Sequence, residues 1–187
     1  YDYLLNSNRQ MDLLHKRFIV FELDNISENR TLLPVVTIII METFLAKMRR
    51  LQGVRKVLLL EEAWKAIAKE GMASYVRYLF KTVRKYFGEA IVVTQEVEDI
   101  ISSPIVKESI INNADCKILL DQRKYRNKFD QIQTLLGLTD KERAQVLSIN
   151  LSNDPARRYK EVFISLGGVQ SAVYATEVSD EEYLVRP

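Results

Sequence analysis

Three places in this sequence join a reactive residue type to a setting that suits phosphate chemistry. In the run Leu58-Leu59-Leu60-Glu61-Glu62-Ala63-Trp64, an apolar stretch passes straight into two carboxylates. A buried strand ending there would hold both acids at the carboxyl edge of a sheet, where α/β proteins bind ligands. One carboxylate can then hold a Mg²⁺ ion through its water shell while the next polarises an attacking water. Taken alone, the pair equally suits a solvated helix start, where acids meet the positive N-terminus. A second apolar run, residues 90–93, ends in Thr94-Gln95 and sets an amide where it could sense a γ-phosphate or orient water. On its own, such a glutamine reads as well as a residue leaving a strand for a loop. Arg84 shares a polar helical face with Arg77 and Lys81. A basic stripe of this kind is ordinarily solvated, but a guanidinium can also neutralise charge on a transferred phosphoryl group.

Positioning such groups takes a sheet backed by helices, and the pattern along the chain predicts one. Short apolar runs alternate with longer amphipathic stretches, as in an α/β fold with a largely parallel sheet. Residues 18–23 (FIVFEL) read as a first strand, and residues 31–51 as a largely buried helix with Pro34 in its first turn. Residues 56–61, after Gly53, read as a buried central strand. A helix from about Ser74 puts Val76, Leu79, Phe80, Val83 and Phe87 on one face, with Gly88 as its C-cap glycine. Residues 90–95 make the next strand, Ser103-Pro104 opens a further helix, and residues 116–121 form another strand.

Beyond that strand the character changes. Two short helical patterns, residues 127–136 and 139–149, flank Gly137, and Thr139 with Glu142 spells a capping box. A turn at Asn153-Asp154-Pro155 precedes two strands joined by Gly167-Gly168, a two-residue hairpin signal. The expected organisation is one domain: a sheet-and-helix core over residues 16–126, a helical pair over 127–157, and a β-hairpin with a tail over 158–187.

Composition narrows the function classes. The chain has 187 residues, 47% hydrophobic and 28% charged, with a net charge of +2, which fits a globular domain and not a wholesale polyanion binder. Cys116 is the only cysteine and His15 the only histidine, so a His/Cys zinc site or a Cys–His pair has little to build on. Cys116 is expected to be a buried free thiol. No stretch is apolar enough to span a bilayer, and residues 1–10 do not resemble a signal peptide. Without an initial Met, the chain reads as a fragment. Two basic clusters, Arg123, Lys124, Arg126 and Lys128, then Arg157, Arg158 and Lys160, could touch phosphate backbones, with Tyr125 stacking on a base. Solvated loops are the preferred reading of both.

Three segments together carry a family resemblance: LLLEEAWK (58–65), RKYFGEAIVVTQE (84–96) and IINNADCKILL (110–120). They resemble the ATPases of conjugative type IV secretion, nearest to the TraG-like branch of conjugative transposons within the FtsK/HerA-like P-loop ATPases. The resemblance covers nearly the whole chain. It implies a RecA-like P-loop core, ATP and Mg²⁺ as cofactors, and a hexameric parent working with other secretion-channel proteins at the cytoplasmic face of a bacterial inner membrane. It also implies roles: Glu61 as the metal-side acid of Walker B, Glu62 as the catalytic glutamate, Gln95 as the sensor glutamine, and Arg84 as an arginine finger serving a neighbouring subunit.

The chain departs from the family twice. Glu61 stands where the family usually has Asp, which adds a methylene to the reach toward the metal. No GxxxxGK[ST] phosphate loop occurs, since Gly53, Gly71, Gly88, Gly137, Gly167 and Gly168 cannot form it. The core is therefore expected to be partial and a poor ATP binder alone. Two other readings stand beside the motor ATPase: a DNA-translocating or DNA-binding module of the same superfamily, and a non-catalytic assembly module.

Overall fold

A computed structural model describes residues 12–61, 70–95, 110–152 and 159–185. The helix expected at Ser103-Pro104, the turn at Asn153-Asp154-Pro155, Glu62, Arg157 and Arg158 lie outside the described residues. Internal contacts divide the chain into two units, Tyr1–Asn112 and Asn113–Pro187.

The first unit is built on two parallel strands, β1 (Lys56–Glu61) and β2 (Gly88–Val93), in register from Lys56 opposite Gly88 to Glu61 opposite Val93. Their side chains alternate between faces. Leu58, Leu60, Ala90 and Val92 pack on a helical core, while Val57, Leu59, Ile91 and Val93 are exposed on the other face. Against the expectation of a buried central strand, β1 is covered on one face and paired on one side among the described residues. That core comes from helix α1 (Leu32–Arg50) and helix α2 (Glu70–Thr82). In α1, Leu33, Thr37, Met41, Phe44, Leu45 and Met48 recur at three- and four-residue spacing and are all buried. This stripe, with each full burial contributing about 1.5–3 kcal/mol, outweighs the modest helix propensity of the β-branched run 35–40. Only this one face is buried; Val35, Ile38 and Ile39 on the opposite side are exposed, against the expectation of a largely buried helix.

Two further expectations change in this unit. Residues 18–23 form no strand: the segment has no ladder partner among the described residues, and Phe18 and Val20 are exposed. Apolar composition supplies β-propensity, but a strand exists only when its backbone groups are paired. Nor does α2 run on to Phe87. It ends at Thr82 and tightens into a 3-10 turn, Val83–Tyr86, which Phe87 closes in the left-handed conformation at φ 55°. Phe87 is thus an exposed cap residue instead of a core residue, and Gly88 is the first residue of β2 instead of the cap.

The second unit is a three-stranded antiparallel sheet ordered β3 (Cys116–Leu119), β4 (Tyr159–Leu166), β5 (Gln170–Glu177). β3 therefore pairs with the C-terminal hairpin, Cys116 opposite Leu166. Cys116 and Ile118 share one face of β3, which no described residue covers, and Leu120 just beyond the strand is exposed as well, so the thiol is not buried. The hairpin turn uses positive φ at Gly167 and Gly168, and Val169 N–H returns to Leu166 O at 3.0 Å. Pairing resumes with Leu166 opposite Gln170, which makes Val169 an extra loop residue beyond the expected two.

Helices α3 (Phe129–Leu136) and α4 (Asp140–Ser148) follow a 3-10 turn, Arg123–Lys128. Gly137, at φ 63°, ends α3. The capping box forms as expected: Glu142 N–H donates to Thr139 Oγ1 at 3.2 Å, and Thr139 N–H donates to Glu142 Oε2 at 2.8 Å. Ser165 Oγ of β4 donates to the other carboxylate oxygen at 2.7 Å, so one buried acid ties helix start to sheet. A last helix, α5 (Asp180–Val185), starts with Ser179 accepting from Glu182 N–H.

Burial raises the pKa of Glu142, but the Thr139 amide, the Ser165 and Thr139 hydroxyls and Lys117 outweigh it and hold the carboxyl below its usual range. A depressed folded pKa contributes stability above the unfolded value and loses it as pH falls through the folded one. Glu142→Ala is expected to cost about 2–3 kcal/mol near neutrality, from a lost cap and an orphaned buried hydroxyl. The gap to the unaltered protein should shrink once the pH drops below about 4.5. Urea unfolding midpoints across pH 3–7 check this, and a pH-independent gap would contradict it.

Candidate functional site

Parallel pairing decides which of the sequence-predicted groups meet. Glu61 ends β1 directly beside Val93, and β2 leads from Val93 into Thr94 and Gln95. Glu61 and Gln95 therefore leave neighbouring strands at the same carboxyl edge, and both are exposed. The burial alternation places the Glu61 carboxylate on the face shared with Val57 and Leu59, away from α1 and α2. Thr94, between Val93 and Gln95 in the chain, is half-buried.

Arg84 is elsewhere. It is exposed in the 3-10 turn that precedes β2, hence at the amino edge of the strands. β2 is six residues long, so at about 3.3 Å per residue the two edges lie on the order of 17–20 Å apart. One guanidinium does not span that gap, so Arg84 and the Glu61–Gln95 edge cannot address the same phosphate within one chain.

The donor set at the carboxyl edge is all oxygen and amide. Among the described residues no three His, Cys, Asp or Glu side chains cluster as a metal cage. A lone carboxylate fits Mg²⁺, which keeps most of its waters and takes one or two protein ligands. It does not fit zinc, which needs several nitrogen or sulfur ligands. The backbone cradle that binds nucleotide phosphates is not supplied by these residues.

Two residues hold the Arg84 turn in place: Gly88, expected as a helix cap, and Lys56, for which the sequence suggested no such role. A Cβ on Gly88 would sit 2.6 Å from Val83 Cγ2 and 3.0 Å from Val83 O, so glycine lets the turn press against the start of β2. Lys56 is buried at the start of β1, and its Nζ donates to Tyr86 O at 2.8 Å. A lysine opening an otherwise apolar strand was the available signal.

The basic cluster of the second unit is partly answered from within. Arg123 Nε donates to Asp121 Oδ1 and Oδ2 at 3.0 and 2.8 Å. That contact with Arg123 holds the Asp121 carboxyl below its usual range against the opposing effect of burial. Lys124 Nζ lies 4.6 Å from the centre of the Tyr125 ring and covers one face of it. Three of the groups suited to a nucleic acid, Arg123, Lys124 and Tyr125, are thus engaged inside the chain.

Compared with known proteins, residues 1–186 match the family described as the TraG P-loop domain. The fold is that of VirB4 of Thermoanaerobacter pseudethanolicus, with a TM-score of 0.62 at 23% sequence identity. That match takes in 88% of this chain and 43% of the VirB4 chain, so the chain spans less than half the length of its structural relative. No curated protein matches. No helix among the described residues is long and apolar enough to cross a membrane.

The close approach at Gly88 can be tested by stability. Gly88→Ala should destabilise the protein by about 1–3 kcal/mol, the usual cost of overpacking against backbone. Denaturant midpoints measure it, and a neutral or stabilising effect would mean that Val83 does not press on this position.

Proposed function

Because the chain belongs to the TraG P-loop domain family, we propose that it is the C-terminal part of an ATPase that powers conjugative DNA transfer or type IV secretion. The observation that carries this reading is the placement of Glu61 and the Thr94–Gln95 exit at one carboxyl edge of adjacent parallel strands. Nucleotide-hydrolysing α/β proteins work at that edge.

In this reading Glu61 is the metal-side acid of Walker B and holds Mg²⁺ through water. Glu62 is the general base for the attacking water, and Gln95 orients that water against the γ-phosphate. Bound Mg²⁺ would supply the positive charge that offsets the phosphate oxygens. Arg84, at the far edge, serves the nucleotide of a neighbouring subunit, as its distance from Glu61 requires. The phosphate loop belongs to a part of the protein outside these 187 residues, so this stretch alone binds ATP poorly. The complete protein works as a hexamer with other secretion-channel proteins at the cytoplasmic face of a bacterial inner membrane. It falls in the branch of the family found with conjugative transposons.

The test is Glu62→Gln in the full-length protein. Removing the base while keeping size should lower the hydrolysis rate about 10²- to 10⁴-fold, with ATP affinity retained in equilibrium binding. Unchanged hydrolysis would overturn the assignment and leave an assembly role.

A further inference from the structure

Lys56 occupies a place where cations are seldom found. It opens β1 on the helix-covered face and is 8% exposed. Its Nζ donates to Tyr86 O at 2.8 Å and approaches Met48 O at 3.5 Å. Both carbonyls lie in final helical turns: Met48 in that of α1, Tyr86 in that of the 3-10 turn. Such carbonyls have no partner within their own helix and carry the negative end of its dipole. A cation where two helix ends converge therefore satisfies both, and its burial is tolerable only while both stay close.

The backbone repeats the fastening. Lys56 N–H donates to Phe87 O at 3.0 Å, and Phe87 N–H turns back to Arg84 O at 3.3 Å. The turn bearing Arg84 is thus held at its end by Lys56 through side chain and main chain, and pressed on the strand at Gly88.

We infer that Lys56 is a positioning residue for Arg84. Its ammonium pins the Val83–Tyr86 turn to the amino edge of β1, so that the Arg84 guanidinium is presented in one orientation to the neighbouring subunit's nucleotide. This rests on the reading of Arg84 as an arginine acting between subunits.

A double-mutant cycle in the full-length protein tests it. Methionine keeps most of the lysine stem, so Lys56→Met removes the charged donor with little change in packing. Arg84→Ala should lower kcat for ATP hydrolysis by about 10³-fold or more. Lys56→Met should lower kcat about tenfold or more, with KM for ATP unchanged. In the Arg84→Ala background, Lys56→Met should cause no further loss. Equal losses from Lys56→Met in both backgrounds, or none in either, would overturn the positioning role while leaving Arg84 in place. An Arg84→Ala protein with undiminished kcat would instead remove the reading on which the inference rests, and the inference with it. If Lys56→Met fails to fold, Lys56→Gln retains an N–H donor and should give a smaller loss that again vanishes without Arg84; persistence of that loss would overturn the inference.

Discussion

The parallel hydrogen-bonding of β1 to β2 sets the geometry of the first unit. Parallel strands share a direction, so everything leaving their carboxyl ends emerges at one edge and everything entering their amino ends gathers at the other. The register, Lys56 opposite Gly88 through Glu61 opposite Val93, then fixes the membership of each edge. Glu61 and the exit to Gln95 fall together, and Lys56, Gly88 and the Arg84 turn fall together. A slip of one residue would reverse the facing of every side chain in the strand. Lys56 would then leave its carbonyls, and Leu58 and Leu60 would leave the core. The apolar packing and the polar fastening therefore select the same register.

The second unit solves a different problem, mounting a short polar helix on a small sheet. Helix α4 has few apolar residues, yet Val146, Ile149 and Phe163 are fully buried. Polar pairs complete the attachment. Glu142 accepts from Ser165 of β4, and Gln145 exchanges hydrogen bonds with Ser171 of β5, donating to its carbonyl at 3.3 Å and accepting from its hydroxyl at 3.0 Å. Asn150 adopts φ 54° just past the helix, a conformation asparagine tolerates better than most residues. Its N–H donates to Glu161 Oε2 at 2.7 Å while its Oδ1 accepts from Glu161 N–H at 3.0 Å. Each of these groups would be costly if buried without a partner, so together they make the seating of α4 specific.

Features encoded by local spacing were legible in the sequence. The existence of helix α1 and strand β1, though not which of their faces are buried, the Thr139–Glu142 capping box and the Gly167-Gly168 turn each depend on residues close along the chain. Those that went unread depend on distant partners. Residues 18–23 have strand composition, but pairing is a tertiary property. Cys116 looks like a core residue until the face of β3 that carries it is seen to be exposed. Phe87 continues the apolar periodicity of α2, yet the turn tightens one residue after Thr82, and the tight contact at Gly88 leaves no room for anything larger there. The need for glycine came from packing, not from backbone conformation. For the candidate site, the residue types at Glu61 and Gln95 were readable and their shared edge follows from strand polarity. The fastening role of Lys56 was not readable, because nothing in sequence links it to Tyr86 or Met48.

The same polarity bears on how the site is completed. Parallel sheets are normally covered on both faces, whereas the Val57, Leu59, Ile91 and Val93 face is exposed among the described residues. Glu61 projects to that face and sits at its carboxyl end. In the proposed reading a ligand reaching Glu61 approaches over the face opposite α1 and α2, at the edge where the neighbouring strand leads to Gln95. Arg84 lies a strand's length away, in a turn whose end is bonded to Lys56. In the proposed reading, a metal held by Glu61 and an arginine finger must both come within a few ångströms of the phosphoryl oxygens. With the two groups at opposite edges, that reading takes Glu61 from one chain and Arg84 from its neighbour.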